Sequence, residues 1–112
     1  ADRVGVLLRA EAVQSLALAR KAGQALTGFV KVETALNRGP VRILLHAPGA
    51  GADGVRKLDR LAQPETMISH AFSADELNLA FGQTNVIHAA IAASGLAEKL
   101  AMQLGRMVTY GT

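Results

Sequence analysis

The chain reads as an α/β domain whose central sheet is covered by helices on both faces. Two patterns predict this. Segments with apolar residues at helical spacing alternate with short, nearly continuous apolar runs. Gly or Pro stands at most of the junctions between them. Composition sets the size and kind of core. The 112 residues are half apolar, yet only three Phe and one Tyr are aromatic, so the core is built from Leu, Val, Ile and Ala. That length suits one domain spanning residues 1–112.

In order, the spacing of Val6, Val13, Leu16 and Ala17 or Ala19 predicts a first helix over residues 7–22. Arg20, Lys21 and Gly23 close it with late cations and a glycine stop. Residues 24–26 form a short strand. Thr27-Gly28 then opens a second helix, with the Thr27 side chain expected to accept a hydrogen bond from a first-turn amide. Gly28 is expected to have negative φ and to let another backbone come close, so that Gly28→Ala would be neutral or stabilising by ~0.4–1 kcal/mol. Phe29, Val32 and Leu36 form the buried stripe of this helix, while Val30, Lys31, Thr34 and Arg38 face outward.

After Gly39-Pro40, residues 41–47 read as a strand buried on both faces. The loop 48–54 leads into a third helix marked by Val55, Leu58 and Leu61 or Ala62, which Pro64 stops. Residues 66–72 have strand composition. Ser73-Ala-Asp-Glu76 is a capping-box pattern opening a short helix with Leu77, Ala80 and Phe81 on one side and Gly82 at its end. Residues 86–93 form the next strand. Ser94 caps a last helix carrying Leu96, Leu100, Leu104 and Met107.

Charge is uneven along this order. Residues 20–60 hold eight Lys/Arg against three carboxylates, whereas residues 61–112 hold two against four. Such asymmetry favours a polyanionic partner on one face, against the plainer reading of ordinary solvated helix surfaces. The start of the second helix is where an anion would fit. First-turn amides and the positive dipole end point outward there, with Lys21 and Lys31 nearby.

Other chemistries find little footing. The absence of cysteine excludes disulfides and thiolate metal sites, and fits a reducing, cytoplasmic compartment. No apolar run approaches the ~20 residues of a membrane span. The loop 48–54 is glycine-rich but matches neither the P-loop nor the Gly-x-Gly-x-x-Gly spacing, and reads as a flexible turn. His46, His70 and His88 each fall in an apolar strand. Near strand ends they could converge, but without metal-ligand spacing they read as core or sheet-face histidines. Asp75 and Glu76 have no acid/base partner, and no serine sits in a nucleophile elbow. No catalytic residue, cofactor or metal is expected. Base stacking on exposed aromatics is disfavoured too, because Phe29, Phe72 and Phe81 read as core and Tyr110 lies at the tail.

Taken together, Leu18-Ala-Arg-Lys-Ala-Gly23, Thr27-Gly-Phe29, Ala35-Leu-Asn-Arg-Gly39, Val41-Arg-Ile-Leu-Leu-His-Ala47 and Glu76-Leu-Asn-Leu-Ala-Phe-Gly82 resemble the kink-turn-binding ribosomal-protein superfamily, especially its bacterial YlxQ-like branch. Similar domains occur fused behind YlxR-type nucleic-acid-binding domains. That suits a chain beginning at Ala1 as the C-terminal part of a longer one. The resemblance implies a three-layer α-β-α sandwich with a central four-stranded mixed sheet, and RNA binding without catalysis.

Carried over by position, the resemblance points to Thr27, Gly28, Phe29, Val30 and Lys31, with Lys21 flanking. From a loop leading into the fourth helix it adds Ser73, Ala74, Asp75, Glu76 and Leu77. Strong kink-turn binders carry Asn-Glu where this chain has Val30 and Lys31, and a Gly where it has Asn78. The expected partner is structured or ribosomal RNA, contacted mainly through phosphate. The rival is a protein-interaction or structural domain that keeps the fold without kink-turn recognition, with a ribosomal or other protein partner. Val30 supports that rival, since an exposed apolar residue at a helix start suits a protein contact. A small-molecule enzyme with its pocket near residues 48–54 ranks third.

Overall fold

The structure, a computed structural model, describes residues 3–109, and the side chains of residues 4–107. Its order is α1 (Arg3–Lys21), β1 (Ala25–Thr27), α2 (Phe29–Arg38), β2 (Val41–His46), α3 (Ala52–Asp59), β3 (Met67–Ser69), α4 (Ala74–Phe81), β4 (His88–Ala92) and α5 (Gly95–Thr109). The four strands form one mixed sheet in the order β1-β4-β2-β3. β2 and β3 are parallel; β4 runs antiparallel to both of its neighbours.

Two cores, one on each face of that sheet, make the three-layer α-β-α sandwich. Leu8, Ala12, Leu16 and Ala19 of α1 join Leu77 and Phe81 of α4 and Leu100 and Leu104 of α5 over Ile43, Leu45 and Ile91. On the other face Val32 and Leu36 of α2 and Leu58 of α3 pack on Val41, Leu44 and Ala90. Val41 and Leu44 share a face although three residues apart. The register shift between Val41 and Ile43 explains it, because one extra residue inserted in β2 reverses the side-chain alternation.

Several boundaries differ from the sequence reading. Helix α1 starts at Arg3 rather than residue 7. Its buried stripe is Leu8, Ala12, Leu16 and Ala19, so Val6 is left 57% exposed. β1 is shifted by one residue to Ala25–Thr27. β3 is only three residues long, at the edge of the sheet, and its Ile68 is exposed. Beyond it the chain turns inward, which buries Phe72. β4 begins at His88 rather than residue 86, because Val86 is diverted by a hydrogen bond from its amide to Asn78 Oδ1 at 3.0 Å. Tyr110 lies outside the described residues. No described helix is long and apolar enough to cross a membrane.

Antiparallel pairing decides which segments meet. The C-terminal ends of β1 and β2 lie beside the N-terminal end of β4, bringing Thr27, His46 and His88 to one end of the sheet.

Candidate nucleic-acid interface

The turn from β1 into α2 is made by Gly28, at φ 98 and ψ 144. This backbone region is essentially reserved for glycine. The expectation of negative φ is therefore corrected. The reason is pairing: the Gly28 amide donates to the His88 carbonyl at 3.1 Å while the Gly28 carbonyl accepts from Val32 at 3.0 Å. One residue must end the strand and start the helix together. Space is not the constraint, since an added Cβ would meet nothing within 4 Å.

Gly28, not Thr27, is the N-cap of α2, and no side chain caps the helix. Thr27 instead donates its hydroxyl to Gln83 Oε1 at 2.9 Å. That bond ties the turn to residues 83–87, the segment between α4 and β4. Without a cap, the first-turn amides of α2 keep no side-chain acceptor. Val30 is 70% exposed on this turn, and Lys31 beside it is exposed. Phe29 is half-buried and sets its ring edge on His88, with centroids 5.8 Å apart.

A cavity of about 380 Å³ opens between the turn and residues 83–88. Thr27, Gly28 and Phe29 form one wall, and Asn85, Val86 and His88 line the other. Asn85 holds φ 62, a left-handed conformation that Asn tolerates better than most residues. Gly82, at φ 61, lets the chain leave α4 there, and its Cβ position faces the Arg20 guanidinium.

The second set of expected contacts lies elsewhere. Ser73 and Glu76 form a complete capping box, with Ser73 Oγ accepting from the Glu76 amide and Glu76 Oε1 accepting from the Ser73 amide at 2.8 Å. Glu76 is also ion-paired to Arg9, whose guanidinium donates to the Ala71 carbonyl at 2.9 Å. Burial pushes the Glu76 pKa up, but the hydrogen bonds from Arg9 and Ser73 outweigh it and hold the carboxyl below its ordinary 4.5. Leu77 is fully buried in the core, whereas Ala74 and Asp75 are exposed. None of residues 73–77 lines the cavity at Gly28. Lys21 precedes β1 at the opposite end of the sheet, where Gln24 accepts from Ala92, so it does not flank the turn.

Of the eight cations in residues 20–60, Arg42 pairs with Glu98 and Arg56 with Asp53. The other six, Lys31 among them, have no ion pair among the described residues.

The three histidines do converge. His46 and His88 are directly opposite each other in the β2–β4 register, and their Nδ1 atoms lie 2.8 Å apart. His46 Nε2 lies 2.8 Å from Asp59 Oδ1, and the His70 ring centroid sits 5.0 Å from that of His46. Among the described residues no group of three or more His, Cys, Asp or Glu side chains could hold a metal. Burial pushes the His88 pKa below its ordinary 6.5 and the His46 ring adds to this, with Asp59 opposing.

No protein-family model matches the chain, and no curated protein matches it. Solved structures do share its fold. One, described as a protein with unknown function from Bacillus halodurans C, superposes with a TM-score of 0.75 at 24% identity, over 84% of this chain and 96% of that one. At that identity the likeness speaks for the fold alone.

Gln83, Asn85, His46, His88 and Asp59 were not in the expected site. The polar run Gln83-Thr-Asn85 between Gly82 and Val86 was the available signal for the first two. The histidine pair had none beyond each residue's place near a strand end.

Proposed function

We propose that this domain binds structured RNA without catalysing a reaction, through the first turn of α2 and the neighbouring segment 83–88. The observation that carries the reading is the uncapped start of α2 at Gly28. Its outward amides stand beside an open cavity, with the unpaired Lys31 on the same turn. A phosphate there would accept from backbone amides, meet the positive end of the helix dipole and neutralise Lys31. The resemblance to kink-turn-binding ribosomal proteins, its YlxQ-like branch in particular, supplies the class of RNA, in a cytoplasmic and ribosome-associated setting. The part assigned to residues 73–77 moves to residues 83–88, because these border the Gly28 turn.

Titration with a kink-turn RNA across a salt series tests this reading. Lys31→Ala should weaken binding and reduce the salt slope by about one, because each phosphate contact releases counterions. Lys21→Ala should change both much less. Parental affinity and slope in Lys31→Ala would remove the α2 turn from the interface.

A second reading is a protein-docking domain of the same fold. It draws on Val30, which is 70% exposed at the head of α2. Co-purification with ribonuclease treatment separates the two, since a protein partner survives digestion and an RNA-bridged one is lost.

A further inference from the structure

His88 is a buried polar side chain with one nitrogen committed and the other free. It is 93% buried, counting from its 7% relative exposure. Its Nδ1 meets His46, while Nε2 makes no hydrogen bond to any described residue. The ring lines the cavity beside Gly28.

When both rings are neutral, the partners of His46 order the protons in one way. Asp59, as a carboxylate, only accepts, so His46 Nε2 carries the hydrogen between them. With both rings neutral, His46 Nδ1 is then a lone pair, and the hydrogen on the shared Nδ1–Nδ1 contact belongs to His88. His88 Nε2 is left as an acceptor. Burial, the largest cause of its lowered pKa, likewise favours the uncharged His88 ring.

Helix α3 keeps space beside that nitrogen. Gly54 lies inside α3, where glycine is the poorest helix former after proline, and its φ is not left-handed. A Cβ at Gly54 would lie 3.4 Å from His88 Nε2 and 3.7 Å from Cε1.

We propose that His88 Nε2 accepts a hydrogen bond from a ribose 2′-hydroxyl whose neighbouring phosphate rests on the first turn of α2, so that the cavity distinguishes ribonucleotides from deoxyribonucleotides. This rests on the RNA reading above and names what the cavity reads. The two halves of the site are adjacent: the His88 carbonyl holds the Gly28 amide at 3.1 Å, and Phe29, first residue of the turn, touches the His88 ring. A ribose hydroxyl lies close to its own phosphate and so suits two neighbouring contacts, whereas base amino groups lie farther from the backbone. A neutral acceptor also suits a neutral donor, and the 2′-hydroxyl is the group that tells RNA from DNA.

The test compares a structured RNA with its all-2′-deoxy counterpart on the parent, Gly54→Ala and His88→Phe. The parent should prefer RNA. Both variants should narrow that preference by about three- to tenfold, the worth of one hydrogen bond, with RNA losing more affinity than its deoxy counterpart. Gly54→Ala covers Nε2 with a methyl and favours the helix, so it guards against misfolding of His88→Phe. Equal loss for both nucleic acids, or no change, overturns the inference and leaves RNA binding standing. A parent that binds neither overturns the RNA reading itself. Independently, ¹⁵N NMR should find His88 Nε2 unprotonated at neutral pH; a hydrogen there overturns the acceptor role whatever the binding result.

Discussion

The starts of α2 and α4 are the same kind of object put to opposite use. Both helices are short and amphipathic, and both follow a strand that ends at the same end of the sheet. At α4, Ser73 and Glu76 satisfy each other's backbone amides, and Arg9 and the Ala71 carbonyl complete the arrangement. At α2, Gly28 provides a turn with no side-chain acceptor, and the nearest hydroxyl, on Thr27, is committed to Gln83. A helix start whose amides are already bonded is a structural device. One that leaves them open beside a cavity and a free Lys is available for an anion.

Substitution at Gly28 should break that contrast most strongly. Any side chain at φ 98 and ψ 144 is strained whatever the room around it. Gly28→Ala should therefore destabilise by about 1–3 kcal/mol in denaturant melts, the reverse of the neutral or stabilising effect expected from sequence. It should also weaken RNA binding. A Gly28→Ala protein as stable as the parent would refute the assigned turn.

Ser73→Ala should cost about 1 kcal/mol, the usual worth of an N-cap. RNA affinity should stay parental, because α4 closes its own first turn. A clear loss of RNA binding with only that modest destabilisation would return residues 73–77 to the interface.

Lys31→Ala and Asp75→Ala sharpen the comparison without disturbing the fold. Both side chains are exposed, so each should change stability by less than about 0.5 kcal/mol. Only Lys31→Ala should lower RNA affinity in a filter-binding or anisotropy titration. Equal effects from the two would mean that the field of the whole surface, and not the α2 turn, governs binding.

The smallest effect concerns pH. The unfolded chain protonates His88 near 6.5, whereas the folded chain resists until lower pH. Between those values the unfolded state binds more protons, so stability rises with pH there. This contribution is fully present above about 6.5 and is lost as pH falls through the folded pKa. Glu76 adds a second loss of the same sign below its ordinary 4.5. Thermal melts from pH 7.5 to 5 should show the decline in the parent and a flatter profile in His88→Phe. Identical profiles would deny that His88 titrates with folding.

The sequence by itself determined whatever is settled within about one helical turn. The capping box at Ser73 and Glu76 closes over three residues, and the Val32 and Leu36 stripe of α2 over four. Ser94 likewise caps α5, its Oγ accepting from the Ala97 amide at 3.1 Å. The buried run of β2 declared itself through continuous apolar residues. Such features depend on periodicity and on neighbours a few residues away, so composition and spacing suffice to read them. Tertiary structure alone decided the candidate site. Thr27 meets Gln83 across 56 residues and His46 meets His88 across 42. Both encounters exist only because β4 inserts between β1 and β2 with its first residue level with their ends. The same pairing sets Gly28's backbone, since its amide must reach the His88 carbonyl while its own carbonyl starts a helix. A local pattern carries no record of which distant strand becomes a neighbour, so neither the left-handed turn nor the free histidine nitrogen could be read from the chain.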